Sequence, residues 1–305
     1  MKGKKIKNNK AVYFIFTLVL TLGVLAGCGN KESARQSSNS LGETTVNSDI
    51  TANNEGNSSS SDETVTIKGI TDLVPHSELV EYVIPKLKEQ GIIVELVATD
   101  ADTTTNEKVA KGEIDFNFFQ HNPYLQEWNE ANGYNLVNAG DIHVEPITAY
   151  SDKYTSKEAI PDNAVVAIPN DGTNEYRALR ILEENGFIKL NEETAKSLSA
   201  SVLDIKEYLR PIEIVEIDSA QIIPTKDDYD FFITNTNKVL EAKITSTRLF
   251  SEGGDSPYAN IIAVRDEDLN NPAIVALVKA LQSEDTRKYI QDKYNGAVIP
   301  AKLSN

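Results

Sequence analysis

From Val65 onward the chain alternates short strand-like apolar runs with helical runs, and this order constrains its fold more than any other feature. Residues 65–70 alternate apolar and polar side chains as a strand does, and 92–97 and 114–119 are further strand-like runs. Between the first two, Pro75 and Ser77 introduce a helical run with Leu79, Val80, Val83 and Ile84 on one face. Pro85 is expected to break or kink that helix before Leu87, because proline has no N–H to give. Residues 106–111 read as a short helix. A second set starts near Ala164: a strand over 165–168, then a helix over 174–184 with Gly186 past its end as a cap. Residues 202–204, 212–215, 230–234 and 261–264 read as later strands, and 273–294 as one or two closing helices. Strands alternating with helices predict an α/β fold with mostly parallel sheets, here in two units. The chain is expected to cross between units near 148–150 and return near 247–249. That gives residues 64–148 and 248–305 to lobe 1 and 149–247 to lobe 2. Ligands of open α/β units sit beyond the carboxyl ends of the strands, so the expected site is a cleft between the lobes.

The single cysteine, Cys28, closes the run Leu25-Ala26-Gly27-Cys28. Lys2, Lys4, Lys5, Lys7 and Lys10 come first, and the uncharged stretch 11–27 follows, in the layout of a secretory signal. The run resembles the lipobox of bacterial lipoproteins. This resemblance implies diacylglycerol transfer to the Cys28 thiol, cleavage before it and acylation of the new amine. The alternative is an uncleaved membrane helix, but 11–27 falls short of the ~20 residues that a bilayer core requires. One acyl chain binds a membrane reversibly, whereas the two chains of a diacylglyceryl group hold it. Residues 1–27 are therefore read as a signal peptide. Residues 28–63 are rich in Ser, Asn, Thr and Gly with few apolar side chains, and are read as a lipidated disordered tether. The expected place is the cell membrane, lipid-anchored, on the extracytoplasmic face.

Composition narrows the chemistry. Setting aside the five signal lysines leaves 25 of 30 basic residues against 46 acids, a formal charge of −21. Such a chain does not suit nucleic acid or an anionic lipid surface. With Cys28 committed to lipid, no thiol remains for a disulfide, thiol catalysis or a Cys-based zinc site. Only His76, His121 and His143 supply imidazoles, too few to lead one to expect a histidine metal cluster. No Gly-rich phosphate loop or Gly-x-Ser-x-Gly elbow is present, and Asp227-Asp228 reads as a solvated turn. The reading is of a protein that is not an enzyme and uses no cofactor or metal.

An exported two-lobed α/β chain without catalytic groups suits capture of a small solute. If the solute is a free amino acid, both its charges need partners once buried. An arginine fork suits the carboxylate, amide oxygens the ammonium, and aromatic walls an apolar side chain. Four segments at expected strand ends offer these groups: 115–125 (DFNFFQHNPYL), 169–179 (PNDGTNEYRAL), 233–237 (ITNTN) and 256–260 (SPYAN). Taken singly, Arg177 reads as a surface ion-pair residue, the asparagines as turn or cap residues, Phe119 as core, and His121 equally as a structural or a site residue.

In this order and spacing the segments resemble the methionine-binding lipoproteins of ABC importers, the NlpA-type lipoproteins. The similarity runs from about Val65 to the C-terminus. It implies a two-lobed periplasmic-binding-protein fold of the second type, monomeric, delivering an amino acid, methionine first, to an ABC permease and its ATPase. The resemblance further implies that Arg177 grips the ligand carboxylate with Asn174 beside it. Asn235 and Asn260 would hold the ligand backbone groups, and Phe119, His121 and Tyr124 would wall its side chain. His76 would border the cleft, and Trp128 would pack on the helix after Tyr124. Two positions depart from the family pattern. Asp102 stands where the family has tyrosine, and Tyr176 stands before the arginine where glycine is common. Both are candidate ligand-facing residues, with a solvent-facing side chain as the alternative for Asp102 and a refilled or narrowed pocket as the two outcomes for Tyr176. They keep open a polar or cationic amino acid or a short peptide as ligand, and a surface adhesion or scaffold lipoprotein as a different role.

Overall fold

The computed structural model describes residues 64–194, 198–253 and 256–303. The signal segment, Cys28 and the tether assigned to 28–63 lie outside these residues. No helix among the described residues is long and apolar enough to cross a membrane.

Two sheets carry the fold. The first has the order β13-β4-β12-β3-β1-β2 and is built from β1 (Val65–Thr71), β2 (Ile92–Ala98), β3 (Phe116–Phe118), β4 (Val137–Val144), β12 (Ala259–Val264) and β13 (Ile299–Pro300). The second has the order β11-β5-β10-β6-β9, from β5 (Thr148–Ser151), β6 (Ala164–Pro169), β9 (Ile212–Ile217), β10 (Phe231–Thr234) and β11 (Thr247–Ser251). A separate antiparallel pair joins β7 (Ile188–Leu190) to β8 (Ile205–Tyr208). The helices are α1 (Glu78–Lys88), α2 (Thr103–Ala110), α3 (Asn122–Asn132), α4 (Gly172–Glu184), α5 (Ser219–Ile222), α6 (Thr236–Ala242), α7 (Pro272–Leu281) and α8 (Glu284–Tyr294).

The expectation of mostly parallel sheets is corrected to mixed ones. β1 runs parallel to β2 and β3, and β6 runs parallel to β9 and β10. β12 is antiparallel to β3 and β4, and β5 is antiparallel to β10 and β11. The crossings cause this. β4 and β11 leave their sheets toward the gap between them, and β5 and β12 enter from that gap, so they must run away from it. Thr148 and Thr247–Ser251 pair within the second sheet, so the crossings fall at 145–147 and beyond Ser251.

Each sheet holds its own core. Ile67, Phe116 and Phe118 lie against Leu79, Val83 and Leu87 of α1 and Ile274 and Leu277 of α7. A Cβ at Gly69 would sit 2.1 Å from the Phe116 ring, so only glycine lets that ring cross β1. Val166 and Ile168 pack with Ala178, Leu179 and Leu182 of α4 and with Phe231. Trp128 packs with Leu125 and Val109, as expected.

Three local readings change. α1 continues through Pro85, which lies on the exposed face, where water can serve the carbonyl that loses its donor. Residues 202–204 form a 3-10 turn closed by a Ser201–Asp204 capping box, and the strand starts at Ile205. α2 begins three residues before the expected helix because Asp102 caps it.

Candidate functional site

Strand ends deliver the site. Asp72 follows β1, Phe119 to His121 follow β3, Asp171 to Asn174 follow β6, and Asn235 follows β10. They surround a cavity of about 120 Å³ between the two sheets. Phe119, Gln120, His121, Tyr124 and Asn260 line it from the first-sheet side, with Asp72 and Ala101. Asp171, Asn174, Asn235, Asn237 and Lys238 line it from the other side, with Ser219, and Glu145 of the first crossing closes its floor.

The N-terminus of α4 fixes the central side chain. Asp171 is the N-cap, and its Oδ1 accepts from the Asn174 backbone N–H at 3.0 Å. The same carboxylate accepts from Asn174 Nδ2, at 3.0 and 3.1 Å to its two oxygens. The Asn174 amide is thereby oriented with Oδ1 outward. Three donors meet that oxygen: His121 Nε2 at 3.2 Å, Arg177 Nη1 at 3.1 Å and Asn235 Nδ2 at 3.1 Å. His121 comes from the first-sheet side, so the cluster spans the cavity.

The tautomer of His121 follows from its neighbours. Its Nδ1 accepts the Tyr124 backbone N–H at 3.2 Å as the N-cap of α3, so Nε2 carries the hydrogen. Burial, with the Arg177 guanidinium adding to it, pushes the imidazole down from 6.5 to about 3. His121 is therefore a neutral donor at any physiological pH. Its ring and that of Phe119 stand edge-on to Tyr124, with centroids 6.1 and 6.2 Å away.

Arg177 is 1% exposed, and its guanidinium is shared. Nη2 bonds the Glu145 carbonyl at 2.8 Å and Glu252 Oε2 at 2.7 Å, and the plane lies 4.5 Å from the Tyr258 centroid. Arg177 thus stands behind the cavity wall and reaches it through Asn174. Across the mouth, Asn237 Nδ2 bonds Asp72 at 2.8 Å and Lys238 Nζ bonds Asp100 at 2.6 Å, tying α6 to the ends of β1 and β2.

Six of the nine expected site residues meet at this cavity: Phe119, His121, Tyr124, Asn174, Asn235 and Asn260. Arg177 is one hydrogen bond away. The structure does not bring Asp102 or Tyr176 to it. Asp102 spends its Oδ1 on the N–H and hydroxyl of Thr104 as the cap of α2. Tyr176 packs into the second core and borders a separate cavity beside Arg180 and Glu252. Replacing Asp102 by alanine should cost about 1 kcal/mol of stability, the worth of a cap, in urea unfolding. Methionine affinity should stay within about twofold, and a larger change would return Asp102 to the pocket.

Other residues escaped the sequence reading. Gln120, Asp171 and Asn237 sit inside the quoted segments, and Asp171 had the signal of a cap residue before a helix. Asp72, Glu145 and Lys238 had none. Two of the three histidines lie together. His76 and His143 meet at Glu145, with one ligand-type atom from each within 4.8 Å of the others. Two imidazoles and a carboxylate are a donor set able to take a cation. Here Glu145 Oε1 already engages His143 Nε2 at 2.7 Å, and Asn237 N–H bonds Oε2 at 3.2 Å.

A cavity at the strand ends between two α/β sheets joined by two crossings defines a two-lobed binding protein. The chain matches the NlpA lipoprotein family over residues 68–302 and belongs to that family. It is 35% identical over 244 residues to the membrane lipoprotein TpN32 of Treponema pallidum, covering 79% of this chain and 90% of the relative. It is 34% identical over 233 residues to the methionine-binding lipoprotein MetQ of Bacillus subtilis, covering 74% and 84%. A nutrient-binding protein from Burkholderia cenocepacia, solved bound to methionine, superposes with a TM-score of 0.73 at 35% identity, over 77% of this chain and all of that one.

Proposed function

We propose that this chain captures an amino acid, methionine foremost, in the cavity between its sheets and hands it to an ABC permease and ATPase at the extracytoplasmic face. It acts as a monomer anchored through lipid on Cys28 and performs no catalysis. The observation that carries this reading is the convergence of His121 Nε2, Arg177 Nη1 and Asn235 Nδ2 on one point, now held by Asn174 Oδ1. Three donors, one of them a cation, form a receptor for a carboxylate oxygen that takes over from the asparagine. With Nδ2 so used, Asn235 has Oδ1 left as an acceptor suited to an ammonium. Phe119 and Tyr124 give apolar faces to a thioether side chain. Donors from both sides mean that a bound ligand would hold the lobes together, which is how hinged binding proteins couple capture to closure. The related MetQ of Bacillus subtilis and the methionine-bound neighbour support methionine as the ligand. A cationic or peptide ligand rested on a carboxylate at 102 facing the pocket, and Asp102 is occupied as a cap. Isothermal titration of the chain from residue 29 onward against the twenty amino acids and methionyl dipeptides is expected to give heat with methionine. No heat with any of them would overturn the proposal.

A further inference from the structure

Asn260 lines the cavity, and the two ends of its amide read a ligand in opposite ways. Its Oδ1 lies 3.1 Å from Nε2 of His76, a fully buried residue outside the lining. The same Nε2 stands 3.5 Å from Glu145 Oε1, the oxygen that His143 Nε2 meets at 2.7 Å. Glu145 is 2% exposed. Among the described residues, the Nδ1 atoms of both histidines have no hydrogen-bond partner.

The proton on His76 follows from these contacts. An ionised carboxylate only accepts, so both imidazoles then carry hydrogen on Nε2, that of His143 given to Glu145 and that of His76 given to Asn260 with the carboxylate beside it. A protonated Glu145 has one O–H to give, and the shorter contact directs it to His143. The oxygen keeps a lone pair for His76. With Glu145 ionised, His76 Nε2 bears the hydrogen beside it, and a donor there requires the Oδ1 end of Asn260. The Nδ2 end is left over, and no described residue bonds it.

We infer that His76, set in its Nε2–H form by Glu145, is a positioning residue that turns the Asn260 amide nitrogen into the cavity and so makes this wall select a ligand carboxylate over a neutral or cationic group. The inference rests on the reading of the cavity as an amino-acid site. Asn235 differs: its Nδ2 already belongs to the donor group at Asn174 Oδ1, and its oxygen is what it adds to the cavity. Asn260 thus adds a further donor and Asn235 an acceptor, a match for the two ends of a zwitterion. An Asn260 free to turn over would present oxygen to the carboxylate and lose this preference.

The test compares methionine with methioninamide, whose neutral carboxamide can both give and accept. The wild-type protein is expected to prefer methionine. His76→Leu should lower methionine affinity at least tenfold and methioninamide affinity less than threefold. His76→Gln, which keeps a donor, should restore methionine affinity to within about threefold of wild type. Equal losses for both ligands would mean a packing role only and would overturn the inference. Nitrogen NMR of the ligand-free wild-type protein supplies a second readout without a variant or a ligand. A neutral His76 with hydrogen on Nε2 is expected, and hydrogen on Nδ1 would overturn the inference. If the wild type bound no amino acid, the reading of the cavity would fail, and the tautomer would still decide the role of His76.

Discussion

Replacing Arg177 by alanine is expected to lower methionine affinity at least a hundredfold, about 2.8 kcal/mol at ~1.4 kcal/mol per decade. Hydrogen bonds from a charged donor contribute ~1.5–3 kcal/mol each, so one lost guanidinium–carboxylate contact accounts for most of that figure. The loss has a structural companion. Arg177 joins Asn174 of its own helix, the carbonyl of Glu145 in the first crossing and Glu252 near the second. Breaking a fully buried ion pair costs ~3–5 kcal/mol, but the Glu252 side chain is 16% exposed and can rehydrate, so about 2 kcal/mol of stability should go. Arg177→Lys keeps the charge, yet a single ammonium cannot face three partners spread around a planar fork. It should therefore lose at least tenfold in affinity. Titration calorimetry with a urea melt on each variant separates the two effects. Folded Arg177→Ala protein that binds methionine within threefold of wild type would take the guanidinium out of the site.

Acidification is expected to destabilise the protein steeply as pH falls from about 6.5 toward about 4.5. Burial holds His121 and His143 at about 3 against an ordinary 6.5, and lowers His76 as well. The unfolded chain therefore binds more protons than the folded one between those values, and stability falls as pH falls. At pH 4.5, two such groups together remove about 5 kcal/mol, comparable to the whole stability of many domains. Glu145 acts in the opposite sense. Burial raises its carboxyl, so the folded state binds its proton more readily than the unfolded chain does. Urea midpoints measured from pH 7 to 4 should drop steeply below pH 6.5, and a flat profile down to pH 4.5 would show that these imidazoles are not held neutral by the fold.

Much of the site was legible because its residues sit in short runs at strand ends. Phe119, His121 and Tyr124 fall within six residues, and Asn174 and Arg177 lie one helical turn apart. A strand end followed by a helix start is a local event, and local order of side chains survives in the sequence. The strand runs 65–70, 92–97 and 261–264 were equally readable, because apolar periodicity mirrors burial. Asp102 misled the reading for the same local reason. Its place at a family tyrosine position suggested a pocket wall, while the cap it makes to Thr104 depends only on where α2 begins.

By itself the sequence determined the α/β alternation, the two units and the cluster of amides and aromatics beside one arginine, since each depends on neighbours along the chain. Only the tertiary structure decided which way β5 and β12 run, and which atoms of those amides are free. Asp72, Glu145 and Lys238 reach the cavity through partners 92 to 166 residues away, and His76 meets Asn260 across 184. A hydrogen bond that fixes an amide orientation costs no more to form across such a span once two sheets hold the ends, and no pattern along the chain encodes it.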